Sequence, residues 1–229
     1  SDLNINSFAT VVDSDGGNGQ VLTAGDVAGA DPVLVSKEVL FNDFNNIHEP
    51  EDSGIVEGHT NWQAAWGKLV TNSHNEGVLA LKTVATDGPA TLSFDANVHN
   101  THLFENSGSM ADSLRVEVSI DGGNWVLLDK FMVNDAGTAI VGSETGQTFG
   151  NSAGNISYEG GILDTAEATV QFRFVSDVTA SDEIIKIDNI SVTATEEVDG
   201  TATTTLVENV ISDDFNNIHY ASQSELVDG

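Results

Sequence analysis

The sequence is poor in the residues that stabilise or anchor many proteins: it has no cysteine, three prolines and seven basic residues in 229. Without cysteine no disulfide framework can form, so stability must come from packing or from bound metal. No signal peptide is recognisable, and no apolar run approaches the roughly 18 residues that a membrane-spanning helix needs. We therefore expect no membrane insertion.

The scarcity of basic residues leaves a strongly acidic chain, with 36 acidic residues and a net charge of −29. Nucleic acid is excluded as a partner, because no basic patch exists to displace its counterions. Two explanations of the acidity stay open: solubility in a saline medium, and calcium sites, which need clustered carboxylates and carbonyls. Both predict a secreted or cell-surface protein.

A hexapeptide occurs twice in the chain. Asp43–His48 returns as Asp214–His219 with an offset of 171 residues, and Val56-Glu57-Gly58 aligns with Val227-Asp228-Gly229. This recurrence predicts one complete repeat followed by the opening strand of the next, in a tandem array. The repeat is too long for a solenoid unit, so each copy is expected to be a domain, with neighbouring repeats as partners.

The predicted domain boundaries follow from this repeat and from composition. Residues 1–36 are expected to be a linker or the tail of a preceding domain, and residues 37–196 to be the repeat itself. Residues 197–205, which are acidic and then rich in threonine, are expected to be a second linker. Residues 206–229 are expected to be the first strand of the next repeat. Arrays multiply binding or reach more often than catalysis, so the organisation favours a non-enzyme.

Between the linkers the dominant pattern has a period of two residues. Apolar and polar residues alternate in Thr91–Val98, Ser113–Ile120 and Thr169–Val175, and Asp121-Gly122-Gly123-Asn124 is a turn signal. No segment shows a stripe of apolar residues at helical spacing. The pattern predicts an all-β fold, an antiparallel two-sheet β-sandwich of the jelly-roll type. Its expected core is Phe44, Leu79, Leu81, Leu92, Phe94, Val116, Val118, Phe172, Phe174, Ile187 and Ile190.

Four sequence features occur in the order typical of one group of modules. They are the pair Asp43-Phe44, the segment Asn61–Trp66, the strand-turn-strand Leu114–Trp125 and the closing Ile187–Ile190. Over about residues 38–194 the chain resembles the MAM-type and carbohydrate-binding-module jelly rolls of bacterial surface proteins and polysaccharide-degrading enzymes. The resemblance implies a β-sandwich with a structural Ca²⁺ between its first and last strands.

A calcium site can also be argued from the residues. A jelly roll places its first and last strands side by side, so Asp43 and Asp188 are expected to approach each other. Asn45 offers a further oxygen, and Ca²⁺ takes six to eight oxygen ligands. The predicted metal ligands are Asp43, Asn45 and Asp188. The alternative is that Asp43 and Asn45 only cap turns. The Gly/Asp segment at residues 13–26 and the group His99, His102 and Glu105 are weaker candidates for metal binding.

Carbohydrate binding is the favoured function for the module. Sugars stack on aromatic rings and hydrogen-bond to carboxylates and amides. The predicted ligand-binding residues are Trp62, Trp66, Asp95, Glu117, Tyr158 and Arg173. Two alternatives remain: a structural spacer of an adhesin that binds nothing, and a polysaccharide-active enzyme that uses a carboxylate pair such as Asp95 and Glu117. The first hypothesis is a calcium-stabilised extracellular module that binds a glycan or another cell-surface ligand.

Overall fold

The computed structural model describes residues 33–71, 75–108 and 111–198, which form one compact all-β unit. Short 3-10 helices at Pro50–Ser53, Thr101–Leu103 and Gly161–Thr165 lie between its strands. The fourteen strands of the described residues are β1 Val33–Asn42, β2 Val56–Thr60, β3 Gln63–Ala65, β4 Lys68–Thr71, β5 Gly77–Leu81, β6 Val84–Ala85, β7 Thr91–Val98, β8 Ser113–Ile120, β9 Val126–Val133, β10 Ile140–Gly142, β11 Thr148–Phe149, β12 Gly154–Tyr158, β13 Thr169–Asp177 and β14 Ile185–Val198.

The strands form two antiparallel sheets. Sheet I has the order β12-β7-β14-β4-β3, and β1 pairs with β14 beyond the end of β4. Sheet II has the order β11-β10-β9-β8-β13-β5-β2, with β6 paired to β13. The predicted antiparallel two-sheet sandwich is therefore confirmed. No helix in the described part of the chain is long and apolar enough to cross a membrane.

One hydrophobic core joins the two sheets. All eleven residues predicted for the core are buried, each at 1% exposure or less. The Phe94 ring of β7 meets the Phe174 ring of β13 edge-on, with centroids 4.9 Å apart, so the inner faces of the two sheets interlock. Because side chains alternate along a strand, burying these apolar residues turns their polar neighbours outward on both sheets.

The first and last strands of the unit are neighbours. β1 pairs with β14 from Val33 opposite Val198 to Asn42 opposite Ile190. β1 begins within the segment expected to be a linker, because its apolar run belongs to this ladder. The segments 1–32 and 199–229 lie outside the described residues, and so do the predicted next strand and the candidate metal loop at 13–26.

Candidate functional site

The outer face of sheet I carries a row of polar side chains and one exposed tryptophan. Phe94 and Ala96 of β7 face the core, so Asp95 and Asn97 point outward. The same alternation turns Lys186 and Asp188 of β14 outward, on either side of buried Ile187. We call this surface the sheet I face; its members are Gln63, Trp66, Lys68, Asp95, Asn97, Asn155, Lys186, Asp188 and Asn189.

Trp66 stands at the tip of the hairpin that joins β3 to β4. The loop has two residues, Trp66 and Gly67, with φ angles of 56° and 68°. Positive φ at both positions is the pattern of a type I′ turn, which normally selects Asn, Asp or Gly. A bulky aromatic residue in this conformation is strained. Trp66 is nevertheless 74% exposed, so burial does not explain its presence.

Strained backbone is concentrated around this hairpin. Phe44 has a φ of 52° and Asn189 a φ of 49°, and both are non-glycine residues in the left-handed region. Asn45, next to Phe44, has its Oδ1 only 2.8 Å from where a Cβ at Gly67 would lie, so the loop after β1 lies directly against the Trp66 hairpin. Such strain persists where the surroundings enforce it, and it is enriched at binding sites.

A β-bulge places Asn189 on the sheet I face. The pairing of β14 with β7 shifts register between Asp188, opposite Asp95, and Ser191, opposite Ser93. The extra residue turns Ile190 back into the core and leaves the Asn189 side chain outside, where its Nδ2 donates to Asp95 Oδ2 at 2.7 Å. Asn155 Nδ2 donates to the other Asp95 oxygen at 3.0 Å, so two amides fix this carboxylate.

Asp188 is paired on the same face. The Lys68 ammonium donates to its Oδ2, and the Asn189 backbone N–H donates to its Oδ1 at 2.8 Å. Asp188 therefore has a counter-charge in Lys68, and the metal site at Asp43, Asn45 and Asp188 stays a prediction. Asp43 accepts hydrogen bonds from the Asn45 backbone and side chain, which lower its pKa.

The predicted residues on sheet II form a separate network. Glu117 accepts from Arg173 Nε at 2.6 Å, and its other oxygen lies 3.6 Å from Arg115 Nε. The Arg173 guanidinium covers the Trp125 ring at 4.2 Å from the centroid. Arg115 also pairs with Glu76 at 2.8 Å. Asp95 and Glu117 therefore lie on opposite outer faces of the sandwich, and they cannot flank one glycosidic bond.

Two of the predicted ligand-binding residues are buried. Trp62 is 3% exposed and Tyr158 is 6% exposed, and both belong to the hydrophobic core. Burial, with the nearby Asp129 carboxylate as a second cause, raises the Tyr158 pKa. A side chain packed in this way presents no ring face to a ligand, so neither residue enters the candidate surface.

A cluster of three carboxylates forms a second candidate site. One carboxylate oxygen from each of Glu105, Asp112 and Glu183 lies within 4.8 Å of the other two. In the described residues no other set of three acidic or histidine side chains is as close together. Asp112 and Glu183 are 1% and 2% exposed, whereas Glu105 is exposed to solvent. We call this cluster the acid triad. Carboxylate oxygens are the ligands that Ca²⁺ takes, so the triad could hold a metal ion.

Backbone hydrogen bonds orient the acid triad. The Glu105 N–H donates to Asp112 Oδ2 at 2.7 Å, and the Thr179 N–H donates to Asp112 Oδ1 at 3.0 Å. Thr179 N–H also donates to Glu183 Oε2 at 2.7 Å. Burial raises the pKa of Asp112 to about 7, and the Glu183 charge contributes in the same direction. Two buried acids held together without a cation favour uptake of a proton or of a metal.

Comparison with known proteins gives structural likeness only. No family model matches the sequence, and no curated protein matches it. The cleaved adhesin domain K3 of Lys-gingipain from Porphyromonas gingivalis has 16% identity and a TM-score of 0.44, over 70% of this chain and 99% of that domain.

Two further similar structures are carbohydrate-binding modules. A family 29 module, solved as a mutant, has 11% identity and a TM-score of 0.40, over 70% of this chain and 86% of its own. The C-terminal family 6 module of a marine laminarinase from Zobellia galactanivorans has 12% identity and a TM-score of 0.34, over 70% and 99%. Likeness of this extent does not identify a ligand for this chain.

Proposed function

We propose that this protein is a non-catalytic carbohydrate-binding module and that the sheet I face is its binding surface. The observation that carries the proposal is Trp66, which is 74% exposed on a strained two-residue turn. A strained, exposed aromatic residue adds nothing to the core, and a flat indole face beside fixed polar groups matches the surface of a sugar ring.

The polar groups of the sheet I face suit sugar hydroxyls. The Asp95 carboxylate is held by Asn155 and Asn189, and its remaining lone pairs can accept from a hydroxyl without rearrangement. The surface extends across β3, β4, β14, β7 and β12. Neighbouring strands lie about 4.8 Å apart, so the surface is on the order of 19 Å wide, which is enough for several sugar units.

Titration calorimetry with a panel of soluble oligosaccharides and polysaccharides tests this proposal. Trp66→Ala should lower the affinity for any bound glycan at least about tenfold, because it removes the central aromatic contact. Trp125→Ala, on sheet II, is the matched control and should leave affinity unchanged. If no glycan in a broad panel binds the wild-type chain, the module is instead a spacer that binds nothing.

We also propose that the module binds calcium, at a site other than the one predicted from the sequence. We place the Ca²⁺ at the acid triad, since Asp112 and Glu183 are buried acids with no cation within salt-bridge distance among the described residues. Asp43, Asn45 and Asp188 remain the alternative site predicted from the sequence. When bound, the ion would neutralise the buried carboxylates and tie the loop before β8 to the loop before β14.

Scanning calorimetry with calcium and with chelator tests the metal. Calcium at a hundredfold excess over Kd should stabilise the fold by about 3 kcal/mol. Asp112→Asn should abolish this gain, whereas Asp188→Ala should keep it. The reverse pattern would place the ion between the first and last strands. Equal melting temperatures in calcium and chelator would show that neither site holds it.

The wider context of the module is also part of the proposal. The recurrence of Asp43–His48 as Asp214–His219 supports a tandem array, and the net charge of −29 supports a secreted or cell-surface location. Neighbouring repeats would then present several sheet I faces to one polysaccharide and raise the overall affinity through multivalency. The MAM-type resemblance stays a prediction.

A further inference from the structure

The sheet I face is divided into two rows of different character. In the register of the sheet, Gln63 of β3 is opposite Val70, Val70 is opposite Lys186, and Lys186 is opposite Asn97. We call Gln63, Lys186 and Asn97 the donor row, because each carries N–H groups and none is an acid. The neighbouring row contains the acids Asp188 and Asp95, which are opposite each other.

The two rows also differ in how far their polar groups are already used. Asp188 has Lys68 as its partner, and Asp95 has two amides. Within the described residues the side chains of Gln63 and Asn97 make no hydrogen bond, and Lys186 has no acidic group within salt-bridge distance. The Lys186 ammonium lies over the Trp66 ring, 5.4 Å from the centroid.

Among the described residues Lys186 is half-buried and, like Lys37, Lys82 and Lys130, has no acid within salt-bridge distance, but unlike them it lies over a tryptophan ring. The groups that pair with Lys186 across the sheet are an amide, Asn97, and an alkyl side chain, Val70. Trp66 alone does not satisfy the three N–H donors of the ammonium, and a cation beside an exposed indole is well placed for an anion on a stacked ring.

We propose that the ligand of the sheet I face is an acidic saccharide, whose carboxylate or sulfate ester is bound by the donor row while its ring stacks on Trp66. This inference rests on the proposed function and specifies its ligand. The net charge of −29 does not prevent such binding, because ionic screening in physiological salt limits repulsion to about 8 Å. The acids of the neighbouring row, Asp188 and Asp95, already have Lys68 and two amides as partners, and screening weakens the repulsion from acids farther away.

Matched pairs of ligands that differ only in charge test this inference. The first pair is tetragalacturonate and its methyl ester, and the second is a κ-carrageenan tetrasaccharide and its desulfated form. The two pairs separate a carboxylate from a sulfate ester as the recognised group. Titration calorimetry should show roughly tenfold to hundredfold tighter binding of at least one acidic member than of its neutral partner, the range expected for hydrogen bonds to a charged group.

Two variants with the same change in net charge locate the effect. Lys186→Gln should remove the preference for the acidic member, whereas Lys82→Gln, at an exposed position between β5 and β6, should retain it. Equal binding of acidic and neutral partners, or a preference that survives Lys186→Gln, would overturn the inference. If only neutral glycans of the panel bind, the module is still a glycan binder and the acidic ligand is wrong. If nothing binds, both proposals fail.

Discussion

The two outer faces of the sandwich use the same kinds of residue in opposite ways. On sheet II a tryptophan, Trp125, lies under the Arg173 guanidinium, and both arginines of the chain share the Glu117 carboxylate. On sheet I Trp66 is 74% exposed, and Lys186 has no acidic partner in the described residues. The first face pairs its arginines and its tryptophan internally, and the second leaves its ring and its donors available.

The comparison shows that residue type alone does not identify a binding surface. The sequence predicts Glu117 and Arg173 as ligand-binding residues because both lie on the polar faces of alternating strands. In the structure Glu117 is 9% exposed, accepts a hydrogen bond from Arg173 and forms an ion pair with Arg115. A ligand would have to break these contacts before making its own, which costs free energy. Trp66 and the donor row impose no such cost.

Removal of the shared charge on sheet II should have the largest effect on stability. Glu117→Gln keeps the shape of the side chain but leaves Arg115 and Arg173 as neighbouring cations, so it should lower the free energy of unfolding by about 2–4 kcal/mol. Urea unfolding measures this. Asp95→Asn on sheet I is the matched control and should cost less than about 1 kcal/mol, because both partners of Asp95 are neutral amides. Equal losses of unfolding free energy in the two variants would show that the charges of sheet II are no more tightly paired than those of sheet I.

A pH series tests the acid triad, which lies outside both outer faces, through the ionisation of Asp112. Burial raises the Asp112 pKa from 3.8 to about 7, so between these values the folded chain holds a proton that the unfolded chain has lost. In chelator, stability should therefore fall by on the order of 1–3 kcal/mol as the pH rises from 4 to 8. Asp112→Asn should reduce this dependence, and calcium should offset the loss at high pH. A flat profile in chelator would contradict the raised pKa.

Gly67 tests whether the sheet I face depends on the shape of its hairpin. Gly67→Ala places a methyl group at a φ of 68° and 2.8 Å from Asn45 Oδ1. The expected loss is about 1–2 kcal/mol in stability, with weaker glycan binding although no ligand-contacting side chain is removed. Gly122→Ala, at a φ of 70° with open space around it, is the control. It should cost a similar conformational penalty without affecting binding.

Much of the fold could be predicted from the sequence because alternation is local. The strands β7 and β8 begin and end where their alternating patterns do. Of the residues predicted for the site, Asp95 and Trp66 both lie on the sheet I face. Alternation also predicts that Asn97 and Lys186 lie on this face, because each is two residues from Asp95 or Asp188 on the same strand. Exposure could not be read in this way, so buried Trp62 was not separated from exposed Trp66.

The remainder of the site depends on contacts between distant parts of the chain. Asn189 reaches the sheet I face only because a bulge interrupts the alternation of β14, and no residue pattern marked that bulge. Asp112 and Glu183 are separated by 71 positions in sequence, and their approach depends on how the loops before β8 and β14 pack together. Glu105 was noted only as a partner for histidines.

The smallest expected effect is at Trp66, at the tip of the sheet I hairpin, where one substitution should raise stability and abolish binding. Trp66 has a φ of 56° in a turn that favours asparagine, so Trp66→Asn should raise the free energy of unfolding by roughly 0.5–1 kcal/mol. The same change removes the exposed ring and should abolish glycan binding, although the fold becomes more stable. Trp125→Asn on sheet II should do the opposite: it loses the stacked guanidinium, lowers stability and leaves binding intact. Thermal unfolding measures the stability of each variant, and calorimetric titration measures its affinity for the glycan. A residue retained for packing would lose stability when replaced, so destabilisation by Trp66→Asn would show that the ring supports the fold rather than a ligand.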